Sequence, residues 1–502
     1  CIRDSILHLF YEILPGSEQL QIIENGKEYA MYKKEIEAYI EAHKEEMIQD
    51  IFTLCRINSE KMPYEEGKPY GKGPATALDA AMAMAEGYGF SVTNYDYFVG
   101  TADLNDKERH LDILAHLDVV PAGEGWEVTQ PFDPILKDGR LYGRGTADDK
   151  GPAVAALYAF RAVKELGIPL SKNARLILGT DEECGSSDID HYYKVEKEAP
   201  MTFSPDAAFP VTNVEKGRLD GHFTANFTAS EALPRLVSFD AGIKVNVVPG
   251  KAYAVTEGLD REVMDQVAAE VEKEIGVHFD LESEDTAAGV CQVKVTAVGT
   301  GSHAAHPYDG NNALTGLLTY LTRLDFAPCQ QMEVLKNLLT LIPHGDVNGK
   351  NLGVAMEDEV SGELTLAFSI LHVTADQLEG SFDSRCPICS NEDNVLKVVK
   401  AKMAEIGIDM DTEHMREPHH VDGNSHFVQT LLKVYEEYSG RKGECQSMGG
   451  GTYVHNLKNG VAFGAALPET DNRMHGADEF AVLDELLLSA KIFAQVIVDL
   501  CS

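Results

Sequence analysis

The chain has 502 residues, 44% of them hydrophobic and 25% charged; this exceeds the roughly 250–300 residues at which a single core stops growing, so more than one domain is expected. Its formal charge of −38, from 43 Lys and Arg against 81 Asp and Glu, would repel a phosphate backbone and offers no basic stripe for counterion release, which excludes nucleic acid as the expected partner and favours divalent cations. Nine cysteines scattered without framework spacing argue for a reduced chain and against a disulfide scaffold, and no apolar run reaches the roughly 18 residues of a membrane span.

The chain opens with Cys1, and residues 1–35 lack the basic start, apolar stretch and cleavage site of a signal peptide, so the cytoplasm is the expected address. Residues 1–32 are read as an N-terminal extension of no functional weight. From Lys33 the segment KKEIEAYIEAHKEEMIQDIFTLCR spaces Ile36, Ile40, Met47, Ile51 and Leu54 as an amphipathic helix. A second helix is predicted near Ala75–Glu86. The strand HLDILAHLDVV follows, with Leu111, Ile113 and Ala115 on one side, then an alanine-rich helix over Gly151–Leu166 and a buried strand in NARLILGT. Strand, helix, strand predicts an α/β layer, in which ligands bind beyond the carboxyl ends of the strands. After Asp206 the pattern changes to alternating strands (CQVKVTAVG, ELTLAFSILHV) around two helices, one carrying Val263, Val267, Val271 and Ile275, the other Val395, Val399, Met403 and Ile406. This stretch reads as a separate, inserted domain.

Chemistry concentrates at the predicted strand ends. AHLDVVP offers His116 and Asp118, two apart and so on one face of a strand; GRGTADDKGP offers Asp148 or Asp149 after Gly143 and Gly145; GTDEECG offers Glu182 and Glu183; FSPDA offers Asp206; and RMHGADEF brings His475 much later. Two imidazoles and a row of carboxylates, with no thiolate among them, form a mixed oxygen and nitrogen ligand set suited to two divalent metals that activate water. Asp118 is placed to hold the second ring nitrogen of His116. Of the adjacent glutamates one can bind metal while the other takes a proton. The CxxC of Cys386 and Cys389 lacks a second pair and reads as structural. Neither GGGTY nor GRGTADDKG supplies GxxxxGK[ST] or a complete GxGxxG, which argues against a nucleotide loop.

These motifs, in this order and with this insert, resemble the M20 family of dinuclear zinc peptidases, and within it the PepV-like dipeptidases acting on Xaa-His or β-Ala-Xaa dipeptides. The resemblance covers about residues 36–500. It implies that Asp148 bridges two zinc ions (cobalt or manganese being possible substitutes), with His116 and Asp206 on one and Glu183 and His475 on the other, Glu182 the general base and Asp118 the orienting acid. In the insert, SHAAHPYDGNNA matches the family's lid motif, implying that His303 stabilises the oxyanion with help from Asn246. Arg385 would bind the substrate's terminal carboxylate, and Gly450 and Gly451 would offer backbone groups to the substrate. His303 or His306 as surface histidines, and Arg385 as a structural ion pair, remain the bland alternatives. The chain departs from the family at Cys386, at VHN after GGGTY and at Asp478, which puts side-chain preference in doubt.

The expected fold is α/β: a discontinuous zinc-peptidase catalytic domain (33–213 and 416–502) with an inserted α+β lid domain (214–415) made of two strand/helix units. The expected function is a metal-dependent dipeptidase acting as a monomer on small peptides, away from membranes and nucleic acid. An aminoacylase, carboxypeptidase or desuccinylase on the same fold is the runner-up. A non-catalytic metal- or peptide-binding protein is the remote alternative, disfavoured because a pure binder has no need of the spare Glu182.

Overall fold

A computed structural model of the protein describes residues 32–285 and 290–502, together with the backbone of the short strands Ile23–Glu24 and Lys27–Glu28. Apart from these strands and Tyr32, the extension expected over 1–32 lies outside the described residues. Two units emerge, one running up to Pro210 and completed by His426–Glu444 and Phe463–Ser502, the other comprising Val211–Ser425 and Cys445–Ala462.

In the first unit the predicted opening helix is two, Lys33–Ala42 and Lys44–Cys55, separated at His43, whose backbone leaves the helical region (φ −104°, ψ 13°). The apolar spacing survives the break: Ile36, Ile40, Met47, Ile51 and Leu54 are all buried. The strand Arg109–His116 runs parallel to Asn173–Gly179 on one side and Met201–Ser204 on the other, and Val99–Asp103 and Ser91–Tyr95 extend the sheet antiparallel. Leu111–His116 is buried on both faces and not only on the predicted one, as parallel strands covered on both sides require. The helices Lys150–Glu165 and Leu483–Cys501 pack together in this unit. Phe493 of the last helix meets Phe203, Phe209 and Phe463 at ring separations of 5.1, 6.3 and 6.2 Å; full burial of such rings contributes about 1.5–3 kcal/mol each.

The second unit carries an eight-stranded antiparallel sheet. The two predicted strand/helix groups are fused into it where Arg235–Ala241 pairs with Thr365–Val373 (Phe239 opposite Val373, Ala241 opposite Leu371). Helices Arg261–Ile275 and Leu396–Glu405 stand at the predicted places, joined by Ala313–Thr322 and Gln330–Leu341, which the sequence reading did not single out. On Arg261–Ile275 the buried face is Met264, Ala268 and Val271, while Val263 is 51% exposed. The apolar stripe is thus rotated from the predicted valine series, because Met264 and Ala268 serve the core as well as valine does.

Residues 416–425 and 445–462, read from sequence with the closing segment of the first domain, group with the second unit. Hydrogen bonding is the reason. The strand Val211–Glu215 is flanked by Cys445–Met448 in parallel, by His419–His420 antiparallel, and by Gly460–Ala462 through Thr212 and Ala462.

Candidate metal centre

The five predicted metal ligands and the two predicted catalytic acids, Asp118 and Glu182, all lie in the first unit, beyond the carboxyl ends of its parallel strands. His116 closes Arg109–His116, Glu182 and Glu183 occupy the 3₁₀ turn after Asn173–Gly179, and Asp206 follows Met201–Ser204. The chain must leave the sheet at these ends, so its polar side chains converge where no further strand residues compete for space.

Asp148 stands at the centre. Its Oδ1 lies 2.9 Å from His116 Nε2 and its Oδ2 2.9 Å from His475 Nε2. His116 Nε2 is also 3.7 Å from Asp206 Oδ2, and His475 Nε2 is 3.4 Å from Glu183 Oε2. Ligand-capable atoms of His116, Asp148 and Glu183 lie within 4.8 Å of one another, as do those of His116, Glu182 and Asp206. Glu182 therefore sits at ligand distance from His116 and Asp206.

Asp149 does other work. It is fully buried, and its Oδ2 accepts the His116 backbone N–H at 3.1 Å. Lys150, also buried, donates from Nζ to the carbonyls of Leu54 (3.2 Å) and Ile57 (2.9 Å), capping the end of Lys44–Cys55 with its charge; burial lowers its pKa to about 8. Asp118 accepts the backbone N–H groups of Glu182 and Glu183 at 3.1 Å each. His116 Nδ1 lies 3.0 Å from the Asp118 carbonyl oxygen and 3.4 Å from its carboxylate. The predicted orienting contact is thus shared between the main chain and side chain of one residue.

The electrostatics call for positive charge. Burial pushes Asp149 and Asp206 well above the ordinary carboxylate range, with the Asp148 charge adding to it, and raises Glu182 to about 8, with Glu183 and Asp148 contributing. Burial alone would lower His116, but Asp118 and Asp148 outweigh it and hold the imidazole well above its usual value. Asp148 and Glu183 raise His475 to about 10. Buried oxygens Asp149 Oδ1 and Glu183 Oε1 have no hydrogen-bond partner. Such a crowd of hard oxygens and imidazoles, with acceptors left over, fits divalent cations bound through oxygen and nitrogen.

In the second unit the predicted substrate residues form their own group. Val247 pairs with His303, and Ala304 N donates to the Asn246 carbonyl at 3.0 Å, which places Asn246 beside the exposed His303. Ala305 N donates to His303 Nδ1 (3.1 Å), so the neutral ring carries its proton on Nε2; burial and the nearby Arg385 charge hold its pKa below the usual value. Arg385 is 6% exposed. Its Nε and Nη2 grip Asp383 at 2.7 and 2.8 Å, and its Nη1 donates to the Gly449 carbonyl. Asp383 also receives Arg218 at 3.1 Å. Gly451 lies against Arg416, where a Cβ would come within 2.6 Å of the guanidinium, and Gly450 is bounded by Met448. After the glycines, Thr452 is fixed by Glu215 through its N–H (3.1 Å) and hydroxyl (2.9 Å), and Glu215 in turn holds His455 at 2.9 Å. The unusual VHN thus braces the glycine turn from within.

The model of Peptidase family M20/M25/M40 matches residues 113–499. The chain belongs to this family. As a member it is a hydrolase and a metallopeptidase with a mixed α/β fold. It is 36% identical over 466 residues to YtjP of Bacillus subtilis (strain 168), covering 91% of this chain and 97% of that one. It is 35% identical over 467 residues to the Beta-Ala-Xaa dipeptidase of Lactobacillus delbrueckii subsp. lactis, covering 92% and 97%. Human carnosine dipeptidase 1 shares the fold at a TM-score of 0.58 and 15% identity, covering 93% of this chain and 98% of that one. Within the M20 frame, Asp478 proves to be a brace, its Oδ1 accepting the N–H groups of Glu127 (3.0 Å) and Val128 (2.9 Å). An asparagine oxygen could accept the same bonds. Two further residues beside the cluster, Arg144 and Glu479, were not picked out from the sequence although each stands four positions from a predicted ligand. Among the described residues no helix is long and apolar enough to cross a membrane.

Proposed function

We propose that the protein is a dipeptidase hydrolysing dipeptides with a free amino end. The observation that carries this reading is Asp148, with one oxygen on each of two imidazoles and a second carboxylate beside each. His116 and Asp206 would hold one divalent cation and Glu183 and His475 the other, with Asp148 shared. Two such ions, zinc in this reading with cobalt or manganese as substitutes, would supply Lewis acidity that lowers the pKa of a water towards about 7 and polarises the scissile carbonyl.

The chain's own groups account for the rest. Glu182 accepts the proton of the attacking water on its carboxylate and returns it to the departing amine. Asp118 keeps the His116 ring in register and fixes the turn that carries Glu182 and Glu183. His303 donates its Nε2–H to the developing oxyanion, assisted by Asn246. Arg385, pre-oriented by Asp383, offers its remaining N–H groups to the peptide's carboxylate, and Gly450 and Gly451 offer backbone groups to the substrate. The similarity to a Beta-Ala-Xaa dipeptidase supports a dipeptide substrate. The first unit is then the catalytic domain and the second the lid. A cytoplasmic address accords with the free state of all eight described cysteines.

The test is a substrate panel with metal-supplemented enzyme: dipeptides are expected to be cleaved, and N-acetylated amino acids and tripeptides to be poor substrates. Preferential cleavage of the acylated compounds would move the protein to the aminoacylase reading. The chain is further proposed to act as a monomer, with His303 serving the metal centre of its own chain. Mixing inactive Glu182→Ala with inactive His303→Ala is therefore expected to restore nothing, and light scattering to give the mass of one chain; recovered activity on mixing would show that His303 works in a partner.

A further inference from the structure

We infer that Glu479, locked to Arg144, is a positioning residue that sets the Asp148–His475 half of the metal centre. This rests on the two-cation reading above.

Glu479 is wholly buried and Arg144 is 1% exposed. A single oxygen of Glu479, Oε1, accepts three backbone N–H groups: Gly145 at 3.0 Å, Ala147 at 3.0 Å and Asp148 at 3.3 Å. The Glu479 carbonyl also accepts Gly143 N at 3.0 Å. The whole turn that delivers Asp148 is thereby wrapped around one carboxylate, its sharp geometry permitted by Gly143 (φ 145°) and Gly145 (φ 86°). The other oxygen, Oε2, receives Arg144 Nη1 at 2.5 Å. Arg144 Nη2 lies 3.2 Å from the Gly476 carbonyl, next to His475, and 3.3 Å from that of Ala122.

The pair therefore clasps two loops far apart in sequence at points just beside Asp148 and just after His475. His475 needs such a clasp, because it sits in the left-handed region (φ 62°), where a non-glycine residue is held only by its surroundings. His116 and Asp206 are delivered differently, by strands in the middle of the sheet, whereas the backbone bonds of the Glu479 carboxylate run to the turn that delivers Asp148. Loosening the clasp should then weaken the His475 side, which relies on it for both Asp148 and the His475 loop, more than the His116–Asp206 side, which relies on it for Asp148 alone. Outer-shell partners of metal ligands typically change affinity by about 10–100-fold.

The experiment is a Co2+ titration of the chelator-stripped full chain, followed by absorption, with His475→Ala and Asp206→Asn marking which signal belongs to which half. In Glu479→Gln the amide keeps an acceptor for the loop but turns a donor towards Arg144. The His475-side affinity is expected to fall about 10–100-fold and the Asp206-side affinity by clearly less. Arg144→Met should reproduce that selective loss and Arg144→Lys should restore most of it. Unchanged affinities in a folded Glu479→Gln, equal weakening of both halves, or failure of both Glu479→Gln and Arg144→Met to fold would overturn the assignment, the last because the pair would then hold the whole unit. Wild-type protein binding a single ion would sink the two-cation reading itself, before any variant is compared.

Discussion

Glu182→Ala is expected to keep the two divalent cations proposed for the wild type and to lose about 10²–10⁴-fold in kcat, the usual contribution of a positioned general base. The residue is half-buried beside Glu183, Asp148 and Asp118, and in the metal-free protein desolvation and these charges raise its pKa to about 8. A bound cation would lower that value towards the range in which a base works at neutral pH. Because Glu182 also stands at ligand distance from His116 and Asp206, the metal content of the variant decides between two roles. Two ions retained with activity lost makes it the base; one ion lost makes it a ligand; full activity rejects both.

Chelation is expected to abolish activity, to lower the melting temperature, and to do the latter more strongly as pH rises. Both effects should reverse when metal is returned. Glu182 is raised in the folded state to about 8 from an ordinary 4.5. The native metal-free protein therefore binds more protons than the unfolded chain between those values, and its stability falls as pH climbs through them. His475, raised from 6.5 to about 10 by Asp148 and Glu183, works in the same direction: its stabilisation is complete below 6.5 and is lost on the way to 10. Asp148 is held low by the two imidazoles, so its contribution disappears only under acid conditions below this window. Cations replace the missing positive charge, and ligand at a hundredfold its dissociation constant adds about 2.7 kcal/mol. Calorimetry at pH 5 and pH 8, with and without chelator, should show the gap in melting temperature widening; a gap that narrows would contradict the charge balance of the centre.

Much of this was written in the residue types. His116, Asp118, Glu182 and Asp206 announce themselves because parallel strands end where apolar runs stop, and a polar residue placed just there has one face of the sheet to serve. His475 was legible through its motif, though nothing local shows that it returns to Asp148. Glu479 and Arg144 were overlooked for a physical reason: a buried acid and a buried arginine look like surface charges until the fold brings them together. The same blindness hid the bracing roles of Asp478, of His455 on Glu215, and of Lys150 on the carbonyls of Leu54 and Ile57. The breaks and shifts in helices were hidden too. His43 divides an apolar stripe that periodicity alone runs straight through, and Met264 takes the core place that a valine series suggested for its neighbour Val263.

By itself the sequence determined which atoms could bind cations, the α/β alternation that carries them, and the presence of a second domain, since ligand chemistry and hydrophobic period are properties of residues taken locally. Only the tertiary structure decided which of Asp148 and Asp149 stands between the imidazoles, that strands after residue 416 join Val211–Glu215, and that Arg385 is already gripped by Asp383. Those are choices among chemically equivalent groups, and what separates them is the distance between residues far apart in the chain, which no local pattern encodes.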